Sequence, residues 1–344
     1  MLRPASNPPG LHRSDHVLWD VPPDLARPQV YEDDSRSILQ HNDSPDLPHR
    51  WSLNPYRGCM HACAYCYARP SHAYLGFGAG TDFDTRIVVK PRAPELLREA
   101  FDDPSWEGAC VLYSGNTDAW QPLEYRWELT RRCLEVCLAY RNPVVAITKS
   151  ALIARDTELF VALSREAAAE VVLSIPFHDP ELARAIEPGA PSPARRIETL
   201  RALAAAGVPV SVNIAPVIPG LNDTDIPKVL RAAAEAGARR AHMILVRLPG
   251  PVELVFEERL RAVLPGRADT VLARIRRARG GALDDPRFGH RFTGEGPAWD
   301  ATRQLFATWC RKLGLDDSAR ADVAASTFRR PRGVRGQQSL FGSR

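Results

Sequence analysis

The chain has 344 residues, enough for one large domain or two smaller ones around a substantial core. Its 45 basic and 41 acidic residues leave a net charge of only +4, which excludes a global electrostatic argument for nucleic acid and makes any such argument local. No apolar run reaches the roughly 18 residues of a membrane span, the first residues lack a signal-peptide core, and seven cysteines are too sparse for a secreted disulfide scaffold. The expected setting is the reducing cytoplasm, with no membrane partner.

Residues 1–48 are rich in Pro, Asp, Ser and Arg without sustained periodicity and read as a loosely ordered, disordered N-terminal arm. From residue 49 to 250 short apolar or β-branched runs alternate with helical stretches. Strands are expected at 52–56, 109–114, 143–148, 171–175, 208–218 and 241–248. A helix is expected over 123–140, and another over 191–207, opened by Ser192 and Pro193 and closed by Gly207. Such alternation implies a parallel sheet with helices outside, and six units are too few for a closed eight-fold barrel. The expected fold is therefore α/β, a partial (β/α)6 TIM-type barrel, followed by a helical C-terminal extension over 251–327 and a basic disordered tail over 328–344.

Nearly every expected strand ends in an uncommon polar cluster. The first is followed by RGCMHACAYCYARP (57–70), the second by Ser114 to Asp118, and the third by Thr148, Lys149 and Ser150. Ser174 lies in the fourth, Asn213 to Gly220 spans the end of the fifth, and Arg247 to Gly250 ends the sixth. In barrels the reacting groups gather at this end of the strands.

Cys59, Cys63 and Cys66 place three thiols on one loop. A structural zinc ion takes four protein ligands, so a zinc reading needs His61 or His72 as the fourth. A cubane iron–sulfur cluster on three thiolates instead keeps one iron without a protein ligand, free for a substrate or cofactor. Cys133 and Cys137, four apart on an apolar helix face, read as core, and so do Cys110 and Cys310.

The spacing Cys59-x3-Cys63-x2-Cys66, with Tyr65 before the third cysteine, resembles the signature of the radical S-adenosylmethionine (radical SAM) enzymes. The wider resemblance, over residues 30–300, is to the spore photoproduct lyase-like branch. It is carried by the stretch 42–76, TDAWQPLE (117–124), TKSALIARD (148–156), the stretch 187–223 and RLPGPVELVF (247–256).

The resemblance implies a [4Fe–4S] cluster on Cys59, Cys63 and Cys66, S-adenosylmethionine on the open iron, and a reducing electron donor such as flavodoxin or ferredoxin. Lys149 and Ser174 would hold the cofactor carboxylate. Asp118 and Thr117 offer groups to its amine, and Tyr65 with Ala215 would form the adenine slot. Each has a plainer reading: Lys149 as a rim ion pair, Asp118 as the cap of the helix near Leu123, Arg196 as either a carboxylate contact or a solvated residue.

DNA is the leading substrate class, with RNA, protein or a metabolite as alternatives; a structural or redox-sensing cluster in a nucleic-acid-binding protein is the reading from another class. The catalytic residues stay unassigned. Asn116 occupies the position at which spore photoproduct lyases carry a hydrogen-returning cysteine, so their scheme would need a substitute such as Tyr74 or Tyr113. In the tail, Gln337, Leu340 and Phe341 match the pattern of peptides that dock on the DNA sliding clamp.

Overall fold

The protein is described by a computed structural model covering residues 28–315 and 326–331. Among the described residues ten strands form two sheets: β1 Gln29–Glu32, β2 Leu39–His41, β3 Trp51–Leu53, β4 Tyr56–Arg57, β5 Arg86–Val89, β6 Val111–Tyr113, β7 Val144–Thr148, β8 Ala169–Ser174, β9 Val210–Val217 and β10 Arg240–Leu245. The large sheet runs β10-β9-β8-β7-β6-β3-β2. Its strands β3 and β6 to β10 are parallel and in chain order, and β2 adds antiparallel to β3. This is the expected partial (β/α)6 barrel.

Along β6 and β7 burial alternates with the period of two that a pleated strand imposes. On β7, Val144, Ala146 and Thr148 are buried, while Val145, Ile147 and the following Lys149 are half-buried. On β8, Val171 and Leu173 join the main core under the helices, so Glu170, Val172 and Ser174 face the lumen.

Several expectations change. The single strand at 52–56 is two, because Pro55 has no N–H for the ladder. Trp51–Leu53 stays in the barrel, whereas Tyr56–Arg57 crosses to the small sheet β1-β5-β4. The N-terminal arm is partly built into the fold: β1 pairs with β5 and β2 with β3, and residues 1–27 lie outside the described residues.

The helix expected over 123–140 is broken at Glu128, whose φ is 51°, into Glu124–Trp127 and Leu129–Ala139. Glu124 explains the break, since its carboxylate accepts the amides of Thr130 (3.0 Å) and Arg131 (3.1 Å) and so caps the second helix from the first. The helix at Pro193–Ala205 starts as expected, with the Ser192 hydroxyl accepting from the Arg195 amide.

The extension contributes the helices Pro251–Val263, Pro265–Ala278 and Pro297–Leu313. Its Phe256, Leu272 and Trp299 belong to the same buried cluster as the barrel, so no gap in the core marks the expected boundary at residue 250. Arg279 fixes the junction, donating to the carbonyls of Leu245 and Val246 at the end of β10 and to those of His290, Arg291 and Thr293. Asp46, from the β2–β3 connection, meets Arg291 through two charge-assisted hydrogen bonds of 2.5 and 2.8 Å and ties the two edges of the open barrel together.

The expected tail also begins inside the fold. Phe328 packs against Phe101 and Tyr140, and Arg330 donates to the carbonyls of Phe101, Asp103 and Trp106, at the end of the barrel where the parallel strands begin. Gln337, Leu340 and Phe341 lie outside the described residues. Among the described residues no helix is long and apolar enough to cross a membrane.

Candidate functional site

The cysteine loop leaves β4 at the mouth of the barrel and is held from several sides. Gly58 takes a φ of +77°, and a Cβ there would lie 2.9 Å from Phe83 O, so the tight entry suits glycine. Gln121, fully buried, donates to Gly58 O and accepts from the Met60 amide. Arg69, 1% exposed, donates twice to Cys63 O, and also to Ala79 O, Gly80 O and the Asp84 carboxylate.

The turn after residue 186 closes the other flank. Ala64 N donates to Ile186 O and Gly189 N to His61 O; a Cβ on Gly189 would stand 2.0 Å from Met60 O, so the approach excludes any side chain.

All three cysteines are free thiols, two buried and Cys66 half-buried. The amide of Asp118 donates to Cys59 and that of Ala68 to Cys66, the kind of N–H···S contact that supports a thiolate. Burial nevertheless pushes all three thiols up, and the charges of Asp118 on Cys59 and Glu187 on Cys63 add to it. Lys149 and Arg196 stand close enough to Cys63 to oppose that rise, which supplies positive charge where thiolates would form.

Among the described residues no three His, Cys, Asp or Glu side chains converge as ligands of one metal ion. A cubane does not require this, because each thiolate takes a different iron. His72, one of the two candidates for a fourth zinc ligand, engages Arg86 O at 2.8 Å through Nε2, and His61 pairs with Asp118 at 3.3 Å through Nδ1. The donor set thus fits a three-thiolate cluster loop.

Glu187 organises the mouth beside it. This fully buried carboxylate accepts from the Tyr65 hydroxyl, pairs with Arg196 at 2.5 Å and stands 3.9 Å from Lys149 Nζ. Lys149 also lies 5.6 Å from the centre of the Tyr65 ring. Burial raises the Glu187 carboxyl, and Arg196 opposes it. Arg196 is 1% exposed, not solvated, and donates to Ser174 O and Pro191 O, which joins Ser174 to the group. The lysine ammonium therefore has only a long contact to its acid and can serve a second anion.

Asp118 does not cap the helix near Leu123. Its carboxylate accepts from Thr148 Oγ1 (2.6 Å), the Lys149 amide (2.8 Å) and the Trp120 amide (3.0 Å), besides His61. Burial alone would raise it, but the His61 charge and these bonds outweigh burial and bring it down to about 2. The Thr117 hydroxyl is engaged by Asn54 Oδ1 and Tyr56 O.

Ala215 is half-buried on β9, two residues beyond Asn213 and on the same face. The structure therefore brings Tyr65, Lys149 and Ser174 together, holds Asp118 behind the Lys149 amide, and leaves the Thr117 hydroxyl occupied.

Tyr113 is fully buried, with its hydroxyl 3.2 Å from Cys137 on the helix side of the sheet, away from the mouth. Tyr74 is 79% exposed. Cys133, Cys137 and Cys310 are core, as expected, whereas Cys110 is only half-buried.

Residues not singled out in the sequence include Glu187, Arg69, Gln121 and Tyr67, whose hydroxyl donates to Gly115 O. Their one signal was membership of conspicuous blocks such as EPGAP and TDAWQPLE. A cavity of about 570 Å3, lined by His61, Trp120, Tyr125, Ser150 and Gly189 among others, contains none of the expected cofactor residues, and the sulfurs, not that volume, locate the site.

Residues 53–233 match the family model of the radical SAM superfamily. An uncharacterized protein of Mycobacterium tuberculosis (strain ATCC 25618 / H37Rv) is 39% identical over 206 residues, 59% of this chain and 61% of its own length. The matched stretch thus spans about three fifths of that relative. An uncharacterized protein of Methanocaldococcus jannaschii is 32% identical over 176 residues, 51% of this chain and 63% of its own.

Among solved structures, a spore photoproduct lyase complexed with dinucleoside spore photoproduct superposes with a TM-score of 0.60 at 15% identity, over 83% of this chain and 78% of that one. A variant with bound AdoMet and dinucleoside spore photoproduct gives 0.60 at 14% over the same shares. By its family match and its cysteine loop, the chain belongs to the radical SAM superfamily, and it has the fold of spore photoproduct lyase.

Proposed function

We propose that this protein is a cytoplasmic radical SAM enzyme that reductively cleaves S-adenosylmethionine, with a DNA lesion as the substrate class. The observation that carries the reading is the pairing of three unpaired thiols on one clamped loop with Lys149, whose ammonium keeps only a 3.9 Å contact to Glu187. When bound, the cluster and S-adenosylmethionine would supply a 5′-deoxyadenosyl radical able to abstract hydrogen from carbon.

This chain's own residues bind and orient. Cys59, Cys63 and Cys66 would hold three irons, and Lys149 with Ser174 the cofactor carboxylate. Tyr65 and Ala215 would flank the adenine, with Asp118 and Thr117 nearest to the amine through the turn they stabilise. Glu187 and Arg196 would keep Lys149 and Ser174 in place, and the buried mouth would limit water.

The DNA assignment rests on the likeness to lyases solved with dinucleoside spore photoproduct, and Asn116 argues against the same hydrogen-return scheme. A flavodoxin or ferredoxin would deliver the electron. Gln337, Leu340 and Phe341 would tether the enzyme to the sliding clamp; deletion of 337–344 is expected to abolish clamp binding measured by anisotropy, and unchanged affinity would remove that partner.

Anaerobic reconstitution, dithionite and S-adenosylmethionine test the central reading. The wild type is expected to release 5′-deoxyadenosine and the C59A, C63A and C66A variants none. K149A is expected to raise the KM for S-adenosylmethionine about tenfold, as loss of a charge-assisted contact does. An intact reduced cluster that yields no 5′-deoxyadenosine would instead mark a structural or redox-sensing site.

A further inference from the structure

A one-electron carrier has to bring its redox group close to the cysteine loop, because electron tunnelling falls off exponentially with distance. The mouth side of that loop is where the proposed cofactor would sit, and one flank is closed where Cys59 packs with Ala68 and Phe83. The cleft of about 570 Å3 lies on a further side. Its wall includes His61, a residue of the loop itself between Cys59 and Cys63. None of the residues expected to hold S-adenosylmethionine lines it, so an occupant leaves the mouth free.

The facing wall comes against the loop through backbone. Gly189 N donates to His61 O at 3.1 Å, and a Cβ on Gly189 would stand 2.0 Å from Met60 O. No side chain therefore intervenes between that wall and the loop. From His61 either cysteine is two residues away along the chain.

Trp120, Pro122, Tyr125, Leu152 and Pro188 line the cleft, and no Asp, Glu, Lys or Arg side chain does. The Trp120 indole is fixed by its 2.9 Å bond to Asp156, while Tyr125 is 77% exposed. A neutral, flat-walled cleft suits a planar apolar group better than a charged metabolite, and an exposed aromatic ring beside it is a typical anchor of protein contacts.

The surroundings are positive. Arg126 follows Tyr125 and Arg184 lies four residues before Pro188; both are exposed and have no ion-pair partner among the described residues. The exposed acids Glu128 and Glu198 face Arg155 at 3.8 Å and Arg195 at 3.1 Å, and Glu181 lies at the far end of the helix that carries Arg184. Unpaired cations of this kind complement an acidic partner and steer its approach.

We propose that this cleft is the docking port of the electron donor, and that it takes the exposed planar edge of the flavin of a small acidic electron-carrier protein. Tyr125 and Pro188 contact the carrier, Arg126 and Arg184 meet its acidic surface, and the His61 backbone leads to the thiolates. One electron leaves the carrier and one arrives at the cluster, with no proton transferred and no bond made or broken. The inference rests on the reading of the cysteine loop as a cluster site.

The test uses reconstituted protein without S-adenosylmethionine, and photoreduced flavodoxin as the carrier. Cluster reduction is followed by stopped-flow absorbance and electron paramagnetic resonance, and affinity for oxidised flavodoxin by calorimetry. Tyr125→Glu and Arg126→Glu are each expected to slow reduction and weaken binding about tenfold. Their reduction by dithionite and their affinity for S-adenosylmethionine are expected to stay within about twofold of wild type, because neither residue touches the loop or the mouth. Tyr74→Glu, at a tyrosine 79% exposed, is expected to leave flavodoxin binding and reduction unchanged.

A wild type that flavodoxin neither binds nor reduces overturns the proposal, as do Tyr125→Glu and Arg126→Glu variants that match wild type. An equal loss in Tyr74→Glu would mark a general charge effect, and slowed reduction by dithionite a damaged cluster loop; either overturns it. A cluster that flavodoxin reduces but that yields no 5′-deoxyadenosine would defeat the proposed activity alone and leave the port standing.

Discussion

Asp118 illustrates how a single side chain near a cluster can be read wrongly from its type alone. A Ser/Thr-Asp pair at the end of a strand reads as a helix cap or a ligand to an amine, but the carboxylate instead ties the cysteine loop, through His61, to the end of β7. That role predicts an acid dependence. The folded-state carboxyl is held at about 2, below its ordinary value of 3.8, so its stabilising contribution is complete above pH 4 or so and is lost as pH falls toward 2. With a shift of nearly two units the contribution is on the order of 2 kcal/mol. Urea melts of wild type and Asp118→Asn are therefore expected to differ by about that much at pH 6, with the gap narrowing below pH 4 and closing only as the pH falls below about 2. A gap that stays constant with pH would refute the charge-based account.

At the scale of elements, the junction between β10 and the extension depends on the forked guanidinium of Arg279. It reaches five carbonyls on both sides of the junction from a position only 6% exposed. Removing it strands those acceptors in a dry place, so Arg279→Ala is expected to cost at least about 3 kcal/mol in a urea melt. It should also open residues 284–293 to limited proteolysis. Arg279→Lys is expected to recover little of this, because a point ammonium cannot span the same set of carbonyls.

The break at Glu128 follows similar logic. Both halves of the 123–140 pattern are helical, yet the bonds Glu124 makes to the next turn set where the first half must end. Apolar spacing carries no trace of such a cap.

For the whole molecule, the decisive feature is that six parallel strands leave the barrel open, with Asp46 and Arg291 joining its edges and Phe328 closing one end. The Phe328 strap makes a global prediction. Its ring lies against Phe101 and Tyr140, with Arg330 stacked on its outer face at 5.2 Å. Phe328→Ala is expected to lower stability by about 1–3 kcal/mol, since the ring is only partly buried, and to lower the calorimetric melting temperature by several degrees. An unchanged melting temperature would mean that the strap is not coupled to the core.

Much of the architecture was legible before any coordinates. Strand–helix alternation carries the barrel because apolar period is a local property of the chain, and the three-cysteine spacing carries the cluster loop because all its donors lie within eight residues. What stayed hidden was long-range. Glu187 is 122 residues from Tyr65, and Gln121 is 63 from Gly58, so neither bond leaves a mark in local pattern. The strands at 29–32 and 39–41 were hidden for the opposite reason, being short, exposed edge segments whose pairing comes from their neighbours.

By itself, then, the sequence determined the fold class, the cysteine loop and the identity of the residues at the strand ends, because each follows from composition and spacing along the chain. Only the tertiary structure decided which of those side chains are already spent on one another, as Glu187 is on Arg196 and Asp118 on Thr148 and the Lys149 amide. Hydrogen-bond satisfaction is a property of the assembled interior, and bonds such as Tyr65 to Glu187 join partners that no local stretch of sequence contains.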